Sequence, residues 1–172
     1  SDAHAMTDTF CGSARTWVFA GRDRPEGLTP ESLANAFRSG RVVVSTGPFV
    51  SLRVDDIPAG GLAQPKARGL LVQVRVEAAP WVDVRRVRIL ANGAEVLSLT
   101  PTARMPEIVR LETQAPLALP GDAAIWAEVE GDAPLPTLPN SSPIRPWALA
   151  APVWVDADGD GEVKPAGVAC GW

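Results

Sequence analysis

At 172 residues, with 46% hydrophobic and 21% charged positions, the chain is long enough to bury one substantial core and has an ordinary globular composition. Its net charge of -4 and sequence pI near 5.0 lack the concentrated basic surface that nucleic acid or an anionic membrane would demand, which excludes both as partners. No apolar run reaches the roughly 20 residues of a membrane span, and 17 prolines with 15 glycines leave little room for long helices, so short strands and a mainly β class are expected.

The chain opens Ser1-Asp2-Ala3-His4, and His4 is its single histidine. A carboxylate and an imidazole two residues apart at a strand end can point at a common divalent cation, which makes Asp2 and His4 candidate metal ligands. A catalytic metal needs at least one more protein ligand, and no second histidine exists to provide it. Thr16 to Ala20 reads as a short apolar strand and Gly21 to Gly27 as a charged loop. Thr29 is a good N-cap, Pro30 suits the first helical position, Glu31 complements the helix dipole, and Gly40 supplies a left-handed stop. Arg41 to Ser45 is then a β-branched strand, closed by the Gly47-Pro48 turn. Residues 1 to 47 form one organisational unit.

From Phe49 the hydrophobic period changes from helical to alternating, which marks a second unit over residues 48–172. Strands are expected at Phe49 to Val54, Gly69 to Glu77, Val84 to Leu90, Glu95 to Leu99, Glu107 to Glu112, Ala123 to Glu130 and Trp147 to Val155. Asn92-Gly93 is a two-residue hairpin signal, because a type I′ turn needs positive φ at both central positions. Arg85, Arg86 and Arg88 read as the wet side of a strand. The pattern indicates a two-sheet antiparallel immunoglobulin-like sandwich, without the Cys…Trp…Cys spacing of a true immunoglobulin. Tryptophans such as Trp81, Trp126, Trp147 and Trp154 fall mostly within apolar strands and are expected in the core, not on a sugar-stacking platform. Pro134 to Pro139 reads as an extended surface loop.

After the last strand comes Asp156-Ala157-Asp158-Gly159-Asp160-Gly161-Glu162. Carboxylates at alternate positions around a glycine turn wrap a hard cation, and Asp156, Asp158, Asp160 and Glu162 match the first half of a calcium loop. The second half is missing: Gly167 occupies the position of the bidentate carboxylate, and Pro165 prevents a following helix. The segment looks like the truncated loops of calcium-binding adhesion and dockerin-like modules, where calcium would stiffen the loop. A solvated acidic turn is the alternative. Cys11 and Cys170 could close nearly the whole chain into one loop, restraining the unfolded state by about 4 kcal/mol, or could remain free thiols. An extracytoplasmic location (periplasmic, envelope or secreted) is expected over a cytoplasmic one.

Four segments in order, Ser1-Asp2-Ala3-His4, Gly12 to Val18, Leu33 to Arg41 and Ser45 to Phe49, resemble the closing stretch of PHP-superfamily metal-dependent hydrolases, in particular the carbaryl-hydrolase-like (CehA/McbA) branch. Pro152 to Gly161 resembles that family more loosely, and Ser13-Ala14 departs from it where Tyr-Pro is common. The resemblance implies that residues 1–47 are the C-terminal remnant of a distorted β/α catalytic barrel and that residues 48–172 are an accessory β-sandwich. It implies that Asp2 and His4 complete a zinc, manganese or iron site whose other ligands lie in an upstream barrel of the same protein. Hydroxide generated there would attack a small-molecule ester, carbamate or phosphoester. Arg15 could hold an anionic substrate group or serve a structural pairing. No catalytic residue lies within this stretch, which alone would be inactive. A non-catalytic β-sandwich binding module with a calcium-binding Asp-rich loop is the competing expectation.

Overall fold

A computed structural model describes residues 12–21, 24–65, 69–136 and 143–164. Asp2, His4, Cys11 and Cys170 fall outside the described residues, as does the second half of the acidic loop from residue 165 onward. The elements in chain order are β1 (Arg15–Val18), a short 3-10 turn (Pro25–Gly27), α1 (Pro30–Arg38), β2 (Val42–Ser45), β3 (Phe49–Val54), β4 (Ile57–Pro58), β5 (Leu62–Ala63) and β6 (Leu70–Glu77). They continue with β7 (Arg86–Ala91), β8 (Ala94–Leu99), β9 (Val109–Leu117), β10 (Ala123–Glu130) and β11 (Trp147–Val155). The expected mainly β, two-sheet sandwich is what these strands form. One sheet runs β1-β2-β11-β10-β7-β8 with β5 added at the end of β11, and the other runs β4-β3-β6-β9. Every pairing is antiparallel except β5 with β11.

The core follows from alternation. In β6, Leu70, Val72, Val74 and Val76 face inward and Leu71, Gln73, Arg75 and Glu77 are partly exposed, and Val50, Leu52 and Val54 of β3 pair in register with Val76, Val74 and Val72. The opposite sheet contributes Val87, Ile89, Ile125, Ala127, Val129, Val153 and Val155, so β-branched residues from both sheets meet across one interior. The arginines behave as expected: Arg86 lies 2.7 Å from Glu95, and Arg88 lies 2.5 Å from Glu128 and 2.6 Å from Glu130. The Asn92-Gly93 turn has φ of 50° and 88° and joins β7 to β8.

Three features depart from the expected pattern, each for a local reason. Pro152 sits within a central strand, which proline normally avoids. It is accommodated by a bulge, because Ile125 pairs with Val153 but Ala127 with Ala150, and its carbonyl accepts from Gly60 N–H at 2.8 Å. Arg110 is the extra residue of a second bulge between Glu77↔Val109 and Val76↔Leu111, which turns its side chain inward, where it is 1% exposed. Its Nη2 donates to the carbonyls of Ala79 and Val82 at 2.9 and 3.0 Å. The tryptophans are a correction: Trp81 and Trp154 are exposed, and Trp126 and Trp147 are only partly buried. The three in strands take the outward parity of β10 and β11, and parity outweighs residue type.

The N-terminal unit is stitched to the sandwich. β2 pairs with β11 through Val43↔Ala150 and its neighbours, and Thr46 N–H donates to Trp147 O at 2.8 Å while the Thr46 hydroxyl accepts from Trp147 N–H and donates to Arg145 O, each at 2.9 Å. Ser45 Oγ accepts from Gly47 N–H at 2.8 Å and donates to Pro48 O, which fixes the turn into β3. Helix α1 begins as expected, with Thr29 and Ser32 forming a reciprocal capping box. No helix among the described residues is long and apolar enough to cross a membrane.

Candidate metal site

Three segments meet at one end of the sandwich: the residue before β10, which is Asp122; Gln64, just after β5; and the acidic loop leaving β11 at Asp156. The parallel β5–β11 pairing carries Gln64 to this place, with Asp156 N–H donating to Ala63 O at 3.0 Å. Asp156 is fully buried. Its Oδ1 accepts from Gly159 N–H at 2.8 Å, and its Oδ2 accepts from Gly161 N–H at 3.1 Å and from Gln64 Nε2 at 3.0 Å. The Gln64 amide, helped by the two glycine N–H groups, holds the Asp156 carboxyl below its ordinary value, against a burial effect that acts the other way.

Asp122 clasps both ends of the loop. Its Oδ1 accepts from Ala157 N–H and its Oδ2 from Lys164 N–H, each at 2.8 Å. One oxygen each from Asp122, Asp156 and Asp158 lies within 4.8 Å of the other two. Two ligands on one calcium stand at most about 5 Å apart, twice a metal–oxygen bond of roughly 2.3–2.6 Å, so the three carboxylates are close enough to share a cation. Each carboxylate oxygen has two lone pairs, so the hydrogen bonds to Asp156 leave acceptor capacity.

The expected calcium set is therefore split. Asp156 and Asp158 belong to the cluster, and Asp122 joins them from another loop. Asp160 and Glu162 instead meet Lys164, whose Nζ is 2.9 Å from Asp160 Oδ2 and 2.8 Å from Glu162 Oε2. The ammonium lowers the Asp160 carboxyl, and Glu162 and Asp160 together raise Lys164. An internal cation stands where half of the ligand set was expected. Asp122 lies more than thirty residues from its partners in an ordinary Pro-Gly-Asp turn, and no local signal singles it out. Arg15 is exposed at the start of the edge strand β1, opposite Ser45. The cluster can hold a hard cation, and among the described residues no histidine or cysteine stands beside it to carry chemistry further. Compared with family models, with curated proteins and with solved structures, the chain matches none.

Proposed function

We propose that this chain is the C-terminal part of a metal-dependent hydrolase of PHP type, in which Asp2 and His4 complete a zinc, manganese or iron site and the β-sandwich is an accessory domain. The observation that carries the reading, beside the motif resemblance, is where uncovered apolar side chains lie. Trp17, Phe19, Leu28, Leu33, Phe37 and Val44 are all exposed within the strand–helix–strand segment, and α1 turns its apolar pair Leu33 and Phe37 to water, with Phe37 53% exposed. Full burial of such a side chain contributes about 1.5–3 kcal/mol. An amphipathic helix that leaves this stripe open is built to be covered, and the upstream barrel is the cover that the resemblance supplies. A metal in that barrel would lower the pKa of a bound water to make hydroxide at neutral pH. Asp2 and His4 would orient it, and Arg15, on the same segment, would meet an anionic substrate group.

The test is hydrolysis of an ester, carbamate and phosphoester panel by the whole protein, with His4→Ala and Asp2→Ala beside it. Loss of both bound metal and turnover is expected, and unchanged turnover in His4→Ala defeats the ligand assignment. The second reading, a calcium-stabilised binding module, is favoured by the approach of Asp122, Asp156 and Asp158. In that reading calcium stiffens the loop after β11 and takes no part in hydrolysis.

A further inference from the structure

Three of the tryptophans that left the core share one surface, the outer face of the larger sheet. Trp126 lies on β10, and Trp147 and Trp154 lie on its neighbour β11, the two central strands of that sheet. The register sets Trp154 opposite Ala124, two residues from Trp126, and sets Trp147 opposite Glu130. At about 3.3 Å per residue along a strand and about 4.8 Å between strands, Trp126 stands about 8 Å from Trp154 and about 14 Å from Trp147, so the three mark one band about 20 Å long.

The rings lie over the sheet. Leu90, Ala124 and Ala151 are buried, yet none belongs to the core between the two sheets. Their large neighbours on the outer face are Trp126, opposite Leu90 and beside the bulge at Ala151, and Trp154, opposite Ala124. Trp126 Nε1 donates to Glu128 Oε1 at 3.2 Å, two residues along the same strand, which leans the indole along β10. A ring laid over its neighbours keeps one π-face for solvent, which accounts for the partial exposure of Trp126 and Trp147 and the 39% of Trp154. Polar groups are fixed beside the rings: Arg88 Nη2 holds Glu128 at 2.5 Å and Glu130 at 2.6 Å, and the Glu130 side chain is 41% exposed.

Exposed apolar area that alternates with hydrogen-bonding groups of settled rotamer complements a ligand whose apolar faces are rimmed by hydroxyls. A pyranose ring has that form, with a C–H face to stack on indole and hydroxyls to reach carboxylate and guanidinium. Two carboxylates against one guanidinium leave the band with a net negative charge, which favours a neutral sugar over a sulfated or uronic one.

We propose that the outer face of β10 and β11 binds a linear neutral polysaccharide, with its sugar rings stacked on Trp154, Trp126 and Trp147 and its hydroxyls donating to Glu130. This takes the binding-module reading further by naming its ligand, and it requires no calcium. The probes are the hexasaccharides of β-1,4-glucan, β-1,3-glucan and β-1,4-mannan, with polygalacturonate as the acidic control, each titrated into the full chain and followed by nuclear magnetic resonance of the indole N–H groups. Saturable shifts at Trp126, Trp147 and Trp154 are expected with at least one hexasaccharide, and none with polygalacturonate. Trp154→Ala should weaken binding about tenfold with circular dichroism unchanged. Trp81→Ala, which removes an even more exposed tryptophan from the β6–β7 connection, should leave the affinity as it is. Absence of saturable shifts with all three hexasaccharides at millimolar concentration overturns the proposal, and the wild-type titrations decide this even if a variant fails to fold. Wild-type affinity in Trp154→Ala, or tighter binding of polygalacturonate, overturns it as well. Repeating the titrations with a chelator separates the two claims. Sugar binding that survives chelation upholds the site and counts only against calcium as its stabiliser, whereas calcium binding without sugar binding keeps the calcium loop and overturns this proposal.

Discussion

Gly60→Ala is the sharpest probe of how the N-terminal unit is seated. An alanine methyl at this position would stand 2.0 Å from the Ser39 carbonyl oxygen and 2.9 Å from the Gly40 carbonyl carbon, and φ at Gly60 is +81°. The left-handed backbone alone costs an L-residue about 1–2 kcal/mol. To relieve the clash the loop must retreat by about 1 Å, since unbonded carbon and oxygen do not approach so closely. That movement stretches the 2.8 Å bond from Gly60 N–H to Pro152 O out of range and removes about 1 kcal/mol more. The total is about 3 kcal/mol, which at roughly 2–4 °C per kcal/mol for a chain of this size lowers Tm by about 6–12 °C. Thermal melts of three variants separate the contributions. Gly93→Ala has a similar φ of +88° and nothing within 4 Å of the added methyl, so it pays only the backbone cost, and Gly121→Ala pays neither. If Gly60→Ala melts with Gly93→Ala, the turn after α1 does not rest on the 58–61 loop and the reasoning fails. Hydrogen exchange should show the same ranking in the amides of α1.

The remaining predictions concern the charged groups. Asp83 is buried, and burial alone would raise its carboxyl, but the N–H groups of Ala133 and Asp132 and the Arg85 guanidinium together hold it below its usual value. Its stabilising contribution is therefore complete above the unfolded carboxylate pKa of about 3.8 and fades as pH falls through the lower folded value. Asp83→Asn should remove about 1–3 kcal/mol at neutral pH and flatten the acid limb of Tm against pH, and an unchanged acid limb would contradict this. Lys164, raised by Glu162 and Asp160, has the opposite sign: its contribution is complete below pH 10.5 and is lost as pH rises through the higher folded value. Lys164→Gln should tighten calcium binding, because it frees Asp160 and Glu162 from their internal cation, and calorimetry showing weaker binding would refute that competition. Calcium at a hundred times its dissociation constant should stabilise the wild type by about 2.7 kcal/mol, and Asp122→Asn should erase most of the shift. No heat and no Tm change at millimolar calcium would retire the site.

How much of this was legible in the sequence depended on whether the cause was local. β3, β10 and β11 run where alternation places them, α1 starts at the proline that its cap dictates, and Asn92-Gly93 turns as its φ preferences require. The hairpin between β3 and β4 escaped notice because its central pair is Asp55-Asp56, with φ of 48° and 70°, where glycine or asparagine is the usual sign. Those aspartates hold the turn by distant contacts, with Asp55 Oδ1 accepting from Leu71 N–H at 3.0 Å and Asp56 Oδ1 from Gln73 Nε2 at 2.9 Å. β9 continues to Leu117 through Pro116, which is tolerated because β9 is an edge strand among the described residues, paired on one side with β6. The candidate metal site divides in the same way. Asp156 and Asp158 announce themselves by spacing, while Asp122 and Gln64 reach them only because the β9–β10 connection and the parallel β5 strand end at the same edge of the fold. Spacing supplies donors and topology selects which of them converge, while Asp160 and Glu162 are taken up locally by Lys164, four and two residues further along the chain.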